Sequence, residues 1–232
     1  MENIKVIEDK CTGCGACVVC CPTKAIRMKK NDEGFETPIV DMEKCTKCGK
    51  CIKKCHAFQF PKELMQNEEE AYYGRIKNNE KVLTYSSSGG IYYLLAKKII
   101  DNGGITYGAV LDEEKWEVIH MSNEESSLKA QMKSKYVQSS TYKSFEKVNE
   151  DLKQNKKVLF CGTPCQVAGL KKLIGENENL ITVDFICHGV PSPQILKDKI
   201  SNMEKRYNSK VKNIYFRSKY GNWSTQKMLI EF

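Results

Sequence analysis

Nine of the twelve cysteines fall within the first 55 residues, and their spacing is ordered. Cys11-x2-Cys14-x2-Cys17-x3-Cys21-Pro22 is one unit, and Cys45-x2-Cys48-x2-Cys51-x3-Cys55 is a second. The flanks repeat as well: Val6-Ile7-Glu8-Asp9-Lys10-Cys11-Thr12 parallels Val40-Asp41-Met42-Glu43-Lys44-Cys45-Thr46, the mark of an internal duplication. Cysteine at this density in a chain with no leader pattern points to metal or redox chemistry rather than to structural disulfides. A cubane iron–sulfur cluster needs four thiolates around one small volume, three from a tight loop and the fourth from the other unit. Gly13, Gly15 and Gly49 let that loop wrap closely. The spacing therefore assigns Cys11, Cys14, Cys17 and Cys55 to one [4Fe-4S] cluster, and Cys45, Cys48, Cys51 and Cys21 to the other. Zinc would use two Cys-x2-Cys knuckles and has no need of a third cysteine at the same interval.

This doubled motif resembles a bacterial two-cluster ferredoxin domain over residues 1–60. Two positions depart from regular spacing. Cys20 is left over, either as a packed thiol or as an alternative ligand. His56 stands where the second unit would carry Pro, either as a tolerated turn residue or as an imidazole hydrogen-bonded to a sulfur.

About 170 residues follow, roughly one further domain. Residues 61–82 read as a linker, with the acidic run Glu68 to Glu70 and the polar stretch Lys77 to Lys81. Beyond it, strands alternate with helices, which predicts α/β architecture with substantial parallel sheet over 83–232. Helices are expected at Ile91 to Ile100, Glu124 to Ser134, Ser144 to Gln154, Cys165 to Ile174 and Ser192 to Asn208. Strands are expected at Ile105 to Leu111, Trp116 to Met121, Lys157 to Cys161, Leu180 to Cys187 and Val211 to Arg217. The polar chemistry gathers at three helix-start loops: Ser86 to Gly90, Cys161 to Gln166, and Cys187 to Gly189. Ligands bind outside the carboxyl ends of strands in such sheets, and helix starts favour phosphates. Capping alone also explains any single loop of this kind. Cys161, Cys165 and Cys187 read either as structural thiols or as a third metal site.

Composition narrows the classes. The 232 residues carry 37 Lys and Arg against 29 Asp and Glu, a net charge of +8, with only four Arg among the basic residues. Scattered lysines without a compact basic stripe argue against nucleic-acid binding and leave open a docking face for an acidic redox partner. No apolar run approaches the ~20 residues a membrane helix needs, and the start lacks a signal-peptide pattern, so a cytoplasmic protein is expected.

Four runs then carry a second resemblance. Ser87-Ser88-Gly89-Gly90-Ile91, Ser134-Lys135-Tyr136-Val137-Gln138-Ser139, Cys161-Gly162-Thr163-Pro164-Cys165-Gln166-Val167-Ala168-Gly169-Leu170 and Asp184-Phe185-Ile186-Cys187-His188-Gly189-Val190-Pro191-Ser192-Pro193 are similar, in this order, to the coenzyme F420 hydrogenase/dehydrogenase beta-subunit family. The resemblance implies an α+β ferredoxin-like N-terminal domain followed by an α/β flavin-binding domain. It implies FAD, with electrons relayed between clusters and a hydride-type partner such as coenzyme F420. It places Ser87, Ser88, Gly89, Gly90, Tyr136, Val137, Gln138, Ser139, Gly162, Thr163, Pro164, Cys165, Gln166 and Gly189 at the flavin, with Cys187 and His188 at the reacting centre. His188 is the candidate proton donor, with a satisfied structural histidine as the other reading. Family members usually continue further, so the flavin domain is expected to be incomplete. The expected function is an iron–sulfur flavoprotein oxidoreductase. The alternative is an electron-transfer subunit of a larger redox complex, in either case acting with a redox partner protein or small substrate.

Overall fold

The computed structural model describes residues 3–58, 70–218 and 227–232. A 3₁₀ segment, Ile4–Lys10, leads into the first cysteine loop. The short helix α1 (Ala16–Val19) follows, then a hairpin of β1 (Ile26–Lys30) and β2 (Glu36–Val40), then the second cysteine loop with α2 (Lys50–Lys53). The hairpin is antiparallel, with Ile26 opposite Val40 and Lys30 opposite Glu36. Its turn closes through Asn31, whose side chain accepts from the Phe35 N–H at 2.8 Å. An Asn carboxamide that mimics a backbone turn in this way holds a hairpin register.

The rest is mixed α/β. In order come α3 (Glu80–Thr84), α4 (Ile91–Asp101), β3 (Ile105–Asp112), β4 (Glu117–Ser122), α5 (Leu128–Gln131), β5 (Ser139–Ser140) and α6 (Tyr142–Lys153). Then follow β6 (Val158–Cys161), α7 (Pro164–Ile174), β7 (Leu180–Val183), α8 (Pro193–Tyr207), β8 (Asn213–Ser218) and β9 (Lys227–Glu231). The main sheet runs β5-β4-β3-β6-β7. β3, β6 and β7 are parallel, as the βα alternation requires, but β4 returns antiparallel on β3, so the sheet is mixed rather than parallel. The turn between β3 and β4 is too short for a parallel crossover, which needs a dozen residues or more. β8 and β9 pair separately.

Two expected elements are shorter than the sequence pattern suggests. The helix expected over 124–134 shrinks to Leu128–Gln131, because Glu125 folds back to accept from the Ser122 N–H and hydroxyl, and Ser127 caps the helix late by accepting from the Ala130 N–H. The strand expected to reach Cys187 stops at Val183, and 184–192 is irregular. Of the expected linker, 61–69 lies outside the described residues, including most of the acidic run, while Glu80–Thr84 is helical with Asn79 as its cap.

The core is shared across the chain. Ala16 from the first cysteine loop packs with Tyr107, Phe145, Phe160, Val167 and Leu170 in the principal apolar cluster. A second cluster joins Val118 and Val137 to Leu196, Ile200 and Ile214 from α8 and β8. A third gathers Ile4 and Ile26 with the cysteines of both units. Among the described residues, no helix is long and apolar enough to cross a membrane.

Candidate cluster centre and its junction with the α/β domain

The two cysteine loops have the same backbone shape. Gly15 before α1 and Gly49 before α2 both sit in the left-handed region, at φ 76° and 72°. Two residues earlier, Gly13 has φ 70° and its repeat equivalent Lys47 has φ 53°. A left-handed conformation that costs a non-glycine residue about 1–2 kcal/mol is thus kept in both units. In the first unit the Gly13 N–H donates to Cys11 Sγ at 3.4 Å, and beyond α1 the Ala25 N–H donates to Cys21 Sγ at 3.3 Å.

Cys11, Cys14, Cys17 and Cys55 line one small cavity together with Thr12 and His56. Burial pushes the Cys14 thiol up to about 12, and the neighbouring thiols of Cys55 and Cys11 add to the rise. Cys17 and Cys11 are raised by the same causes. Cys11, Cys14 and Cys17, crowded and desolvated, resist ionising unless a cationic centre enters among them, and an iron–sulfur core is such a centre. Among the described residues, no three His, Cys, Asp or Glu side chains are drawn around a single metal ion. The doubled spacing, with a third cysteine at the same interval in each unit, remains the feature that suits a cubane better than mononuclear zinc.

The second set is more open. Cys51 is buried and lies beside Cys21, while Cys45 is half-buried and Cys48 is exposed. The Lys50 N–H holds the Cys48 thiol below its ordinary value. Cys20 belongs to this neighbourhood, close to Cys51 and Cys21, and its Sγ–H donates to the Cys17 carbonyl at 3.5 Å. The His56 ring bonds the Thr12 hydroxyl, Nε2 to Oγ1 at 3.0 Å, and so ties the fourth-ligand segment to the first loop.

The first loop is fastened to the α/β domain. Thr141 Oγ1 donates to the Cys14 carbonyl at 2.7 Å. The Glu36 N–H donates to Gln138 Oε1 at 2.8 Å, and Lys54 Nζ donates to the Leu173 carbonyl at 3.0 Å. Gly169 on α7 lies against Cys14: a Cβ there would stand 2.7 Å from Cys14 Sγ. Cys165, in the first turn of the same helix, is near enough to bear on the Cys14 thiol.

The resemblance-implied flavin residues divide into two groups. Ser88 and Gly89 line a cleft of about 860 Å³ with Tyr85, Tyr215, Lys133 and Arg75. Ser87 is close by, accepting from the Ser134 N–H at 2.8 Å, and Gly90 caps α4 at φ 83°. The other residues lie outside that cleft. Val137 is core, and Gln138 and Ser139 are buried. Gln166 is committed twice: its Oε1 accepts from the Thr163 N–H at 2.9 Å, and its Nε2 donates to Ser139 Oγ at 2.8 Å. Gly162 is buried under the Gln166 side chain, and Pro164 opens α7 exposed. Tyr136 is exposed with its ring edge-on to Phe216. Cys187 is half-buried, its Sγ accepting from the Gly189 N–H at 3.4 Å, and His188 and Gly189 are exposed on the loop after β7.

Two residues at the carboxyl end of β6 escaped sequence reasoning. His120 stacks on Phe160 at 5.0 Å and bonds the Cys161 carbonyl through Nε2 at 3.0 Å. The Lys135 ammonium donates to the Ala130 and Met132 carbonyls, and burial pulls it down to about 7. Lys135 stood inside the Ser134 to Ser139 run without a role of its own, and nothing in the sequence marked His120.

Fold and cysteines define a two-cluster iron–sulfur redox protein built onto a mixed α/β domain. Comparison with known families agrees: residues 10–58 match the 4Fe-4S dicluster domain, and residues 155–231 match the C terminus of the coenzyme F420 hydrogenase/dehydrogenase beta subunit. Both matches agree with the resemblance to the coenzyme F420 hydrogenase/dehydrogenase beta-subunit family carried by the sequence motifs. A search among curated proteins finds no match.

Proposed function

We propose that the chain is a cytoplasmic iron–sulfur flavoprotein oxidoreductase that passes electrons between two [4Fe-4S] clusters and FAD, for a two-electron conversion of a hydride-type substrate of the coenzyme F420 kind. One observation carries this reading: the Cys14 loop docks on α7 beside Cys165 and Gly169, directly after the strand-end loop that the resemblance places at the flavin. Cys11, Cys14, Cys17 and Cys55 hold the cluster at this junction, and Cys45, Cys48, Cys51 and Cys21 hold the outer one. When bound, the clusters supply one-electron transfer and the flavin joins it to two-electron chemistry.

The cleft residues suit a planar, anionic ligand. Tyr85 and Tyr215 offer aromatic faces, with Lys133 Nζ 5.6 Å and 4.7 Å from their ring centres. Ser88 and Gly89 bring backbone to the start of α4. A volume of this order is what a cofactor-sized ligand occupies. His188, exposed at the end of the β7 loop, is the residue proposed to hold the proton at the reacting centre.

A second reading, an electron-transfer subunit without its own substrate, is favoured by the commitment of Gln138, Ser139 and Gln166 to bonds within the fold. Acid-released flavin per iron, in protein prepared without oxygen, separates the two. About one FAD per eight irons, the content of two cubanes, supports the flavoprotein. Eight irons without flavin support the electron-transfer reading.

A further inference from the structure

The duplication places the two cluster loops in register, thirty-four residues apart, and their environments are opposite. In the first loop Gly13, Ala16 and Val19 are uncharged, and Ala16 and Val19 pack into the core formed with α6 and α7. Their equivalents are Lys47, Lys50 and Lys53, and all three are exposed. Cys14 is enclosed against α7, whereas its equivalent Cys48 is exposed. From Cys11 to Cys21 the chain carries no charged side chain; from Cys45 to Cys55 it carries four lysines and no acid. The fourth of these, Lys54, is taken up by the Leu173 carbonyl.

From this asymmetry, and resting on the two-cluster reading above, we infer that the exposed Cys48 loop, with Lys47, Lys50 and Lys53 exposed along it, is the docking surface for an acidic one-electron carrier protein. The surface that α6 and α7 cover on the first unit is left open on the second and is coated with positive charge. A negatively charged carrier is attracted to that coat, and its own redox group is brought against the edge of the outer cluster. With the clusters bound, a carrier seated there would give one electron to the outer cluster, with no bond or proton moving. Cys14 and its neighbours, which border the α/β domain, would hold the enclosed cluster that receives it next. The fold thus has an outer entry and an inner exit. Reversing the flow uses the same two faces.

The test uses the loaded full-length protein and a photoreduced acidic flavodoxin as the probe. Stopped-flow absorbance reads the second-order rate of cluster reduction across ionic strength. In the wild type that rate should fall steeply with salt, because added ions screen the attraction over about 10 Å at 0.1 M. The triple variant Lys47→Glu, Lys50→Glu, Lys53→Glu should lose roughly tenfold or more at low salt, within the range that charge steering covers, and its salt dependence should flatten or invert. Reduction by methyl viologen radical, which is small and cationic, should not slow. Lys47→Gln, Lys50→Gln, Lys53→Gln should fall between, and carries the test if the Glu variant fails to hold iron. Lys199→Glu with Lys205→Glu, on exposed positions of α8, should behave as wild type. A triple variant with full iron and the wild-type rate would overturn the inference, as would an equal loss in the α8 pair. Wild-type protein holding fewer than eight irons would overturn the two-cluster reading beneath it, and that failure shows in the iron assay before any rate is measured.

Discussion

Gly169 is the residue at which the cluster loop and the α/β domain meet most closely. A single added methyl would have to share space with Cys14 Sγ at 2.7 Å and Cys14 Cβ at 3.2 Å. Neither neighbour is the end of a long flexible side chain, so the loop itself must shift. We expect Gly169→Ala to disturb one cluster and spare the other. Anaerobically prepared variant should retain roughly half the iron of the wild type, one cubane of two, and its electron paramagnetic resonance spectrum should lose one of two reduced-cluster signals. Gly103→Ala is the control: that glycine has φ +75° and open space around it. It should cost about 1 kcal/mol in backbone strain and leave iron content unchanged. Lys47 makes the same point in reverse. It holds at φ 53° the conformation that Gly13 adopts freely, so Lys47→Gly should raise the unfolding midpoint by the equivalent of about 1 kcal/mol. A midpoint unchanged or lowered in an anaerobic thermal scan would contradict that account.

At the scale of elements, β4 is joined to β6 by His120 as well as by the intervening strand β3. The ring lies on Phe160, Nε2–H donates to the Cys161 carbonyl, and Nδ1 is buried without a partner. Protonating Nδ1 would place a charge where nothing accepts its proton, and burial lowers the His120 value from 6.5 to about 4. An unfolded chain takes up that proton near 6.5, so between these values the unfolded state binds more protons and stability falls with falling pH. The contribution is full above pH 6.5 and should be smaller by about 1 kcal/mol at pH 5.5. Urea midpoints at pH 7.5 and 5.5 should therefore differ more in wild type than in His120→Phe, which keeps the stacking and removes the titration; equal differences would refute it. Elements of this kind were partly legible. The 3.6 and 2 residue periods located α4, α6, α7, β3, β4 and β6 within about two residues, because each buries one face. Periodicity did not report that Glu125 would fold back on Ser122 and consume the first turn of the expected helix, since the choice lies in a side-chain bond. The cysteine loops were legible because a cubane fixes ligand spacing locally. The residues that the resemblance places at a flavin stood out only as runs. Whether Gln138 faces a ligand or the Glu36 N–H depends on a partner 102 positions away in the chain.

At the scale of the whole molecule, the dicluster segment contributes structure to the rest as well as electrons. Ala16 is 1% exposed inside the cluster formed by Tyr107, Phe145, Phe160 and Leu170. Thr141, which precedes α6, donates its hydroxyl proton to the Cys14 carbonyl. Burial and the neighbouring thiols make Cys14 costly to ionise, so a cluster that takes up its thiolate would steady the loop around it. Metal binding at such a site is therefore part of the folding free energy of whatever the loop packs against. Removing the iron should loosen α1, withdraw Ala16 from the shared core and lower the stability of the α/β domain, which holds no cluster ligand. Near-ultraviolet circular dichroism of the aromatic core should show a lower thermal midpoint after chelation and oxidation under anaerobic conditions, and reconstitution with iron and sulfide should restore it. Thr141→Val, which leaves the Cys14 carbonyl without its donor at a cost of about 1–3 kcal/mol, should lower the midpoint of loaded protein by more than that of iron-free protein, because the bond exists only while the loop is ordered. Equal losses in the two states would mean that the bond survives cluster removal, and that the two halves of the core are held together by apolar packing alone.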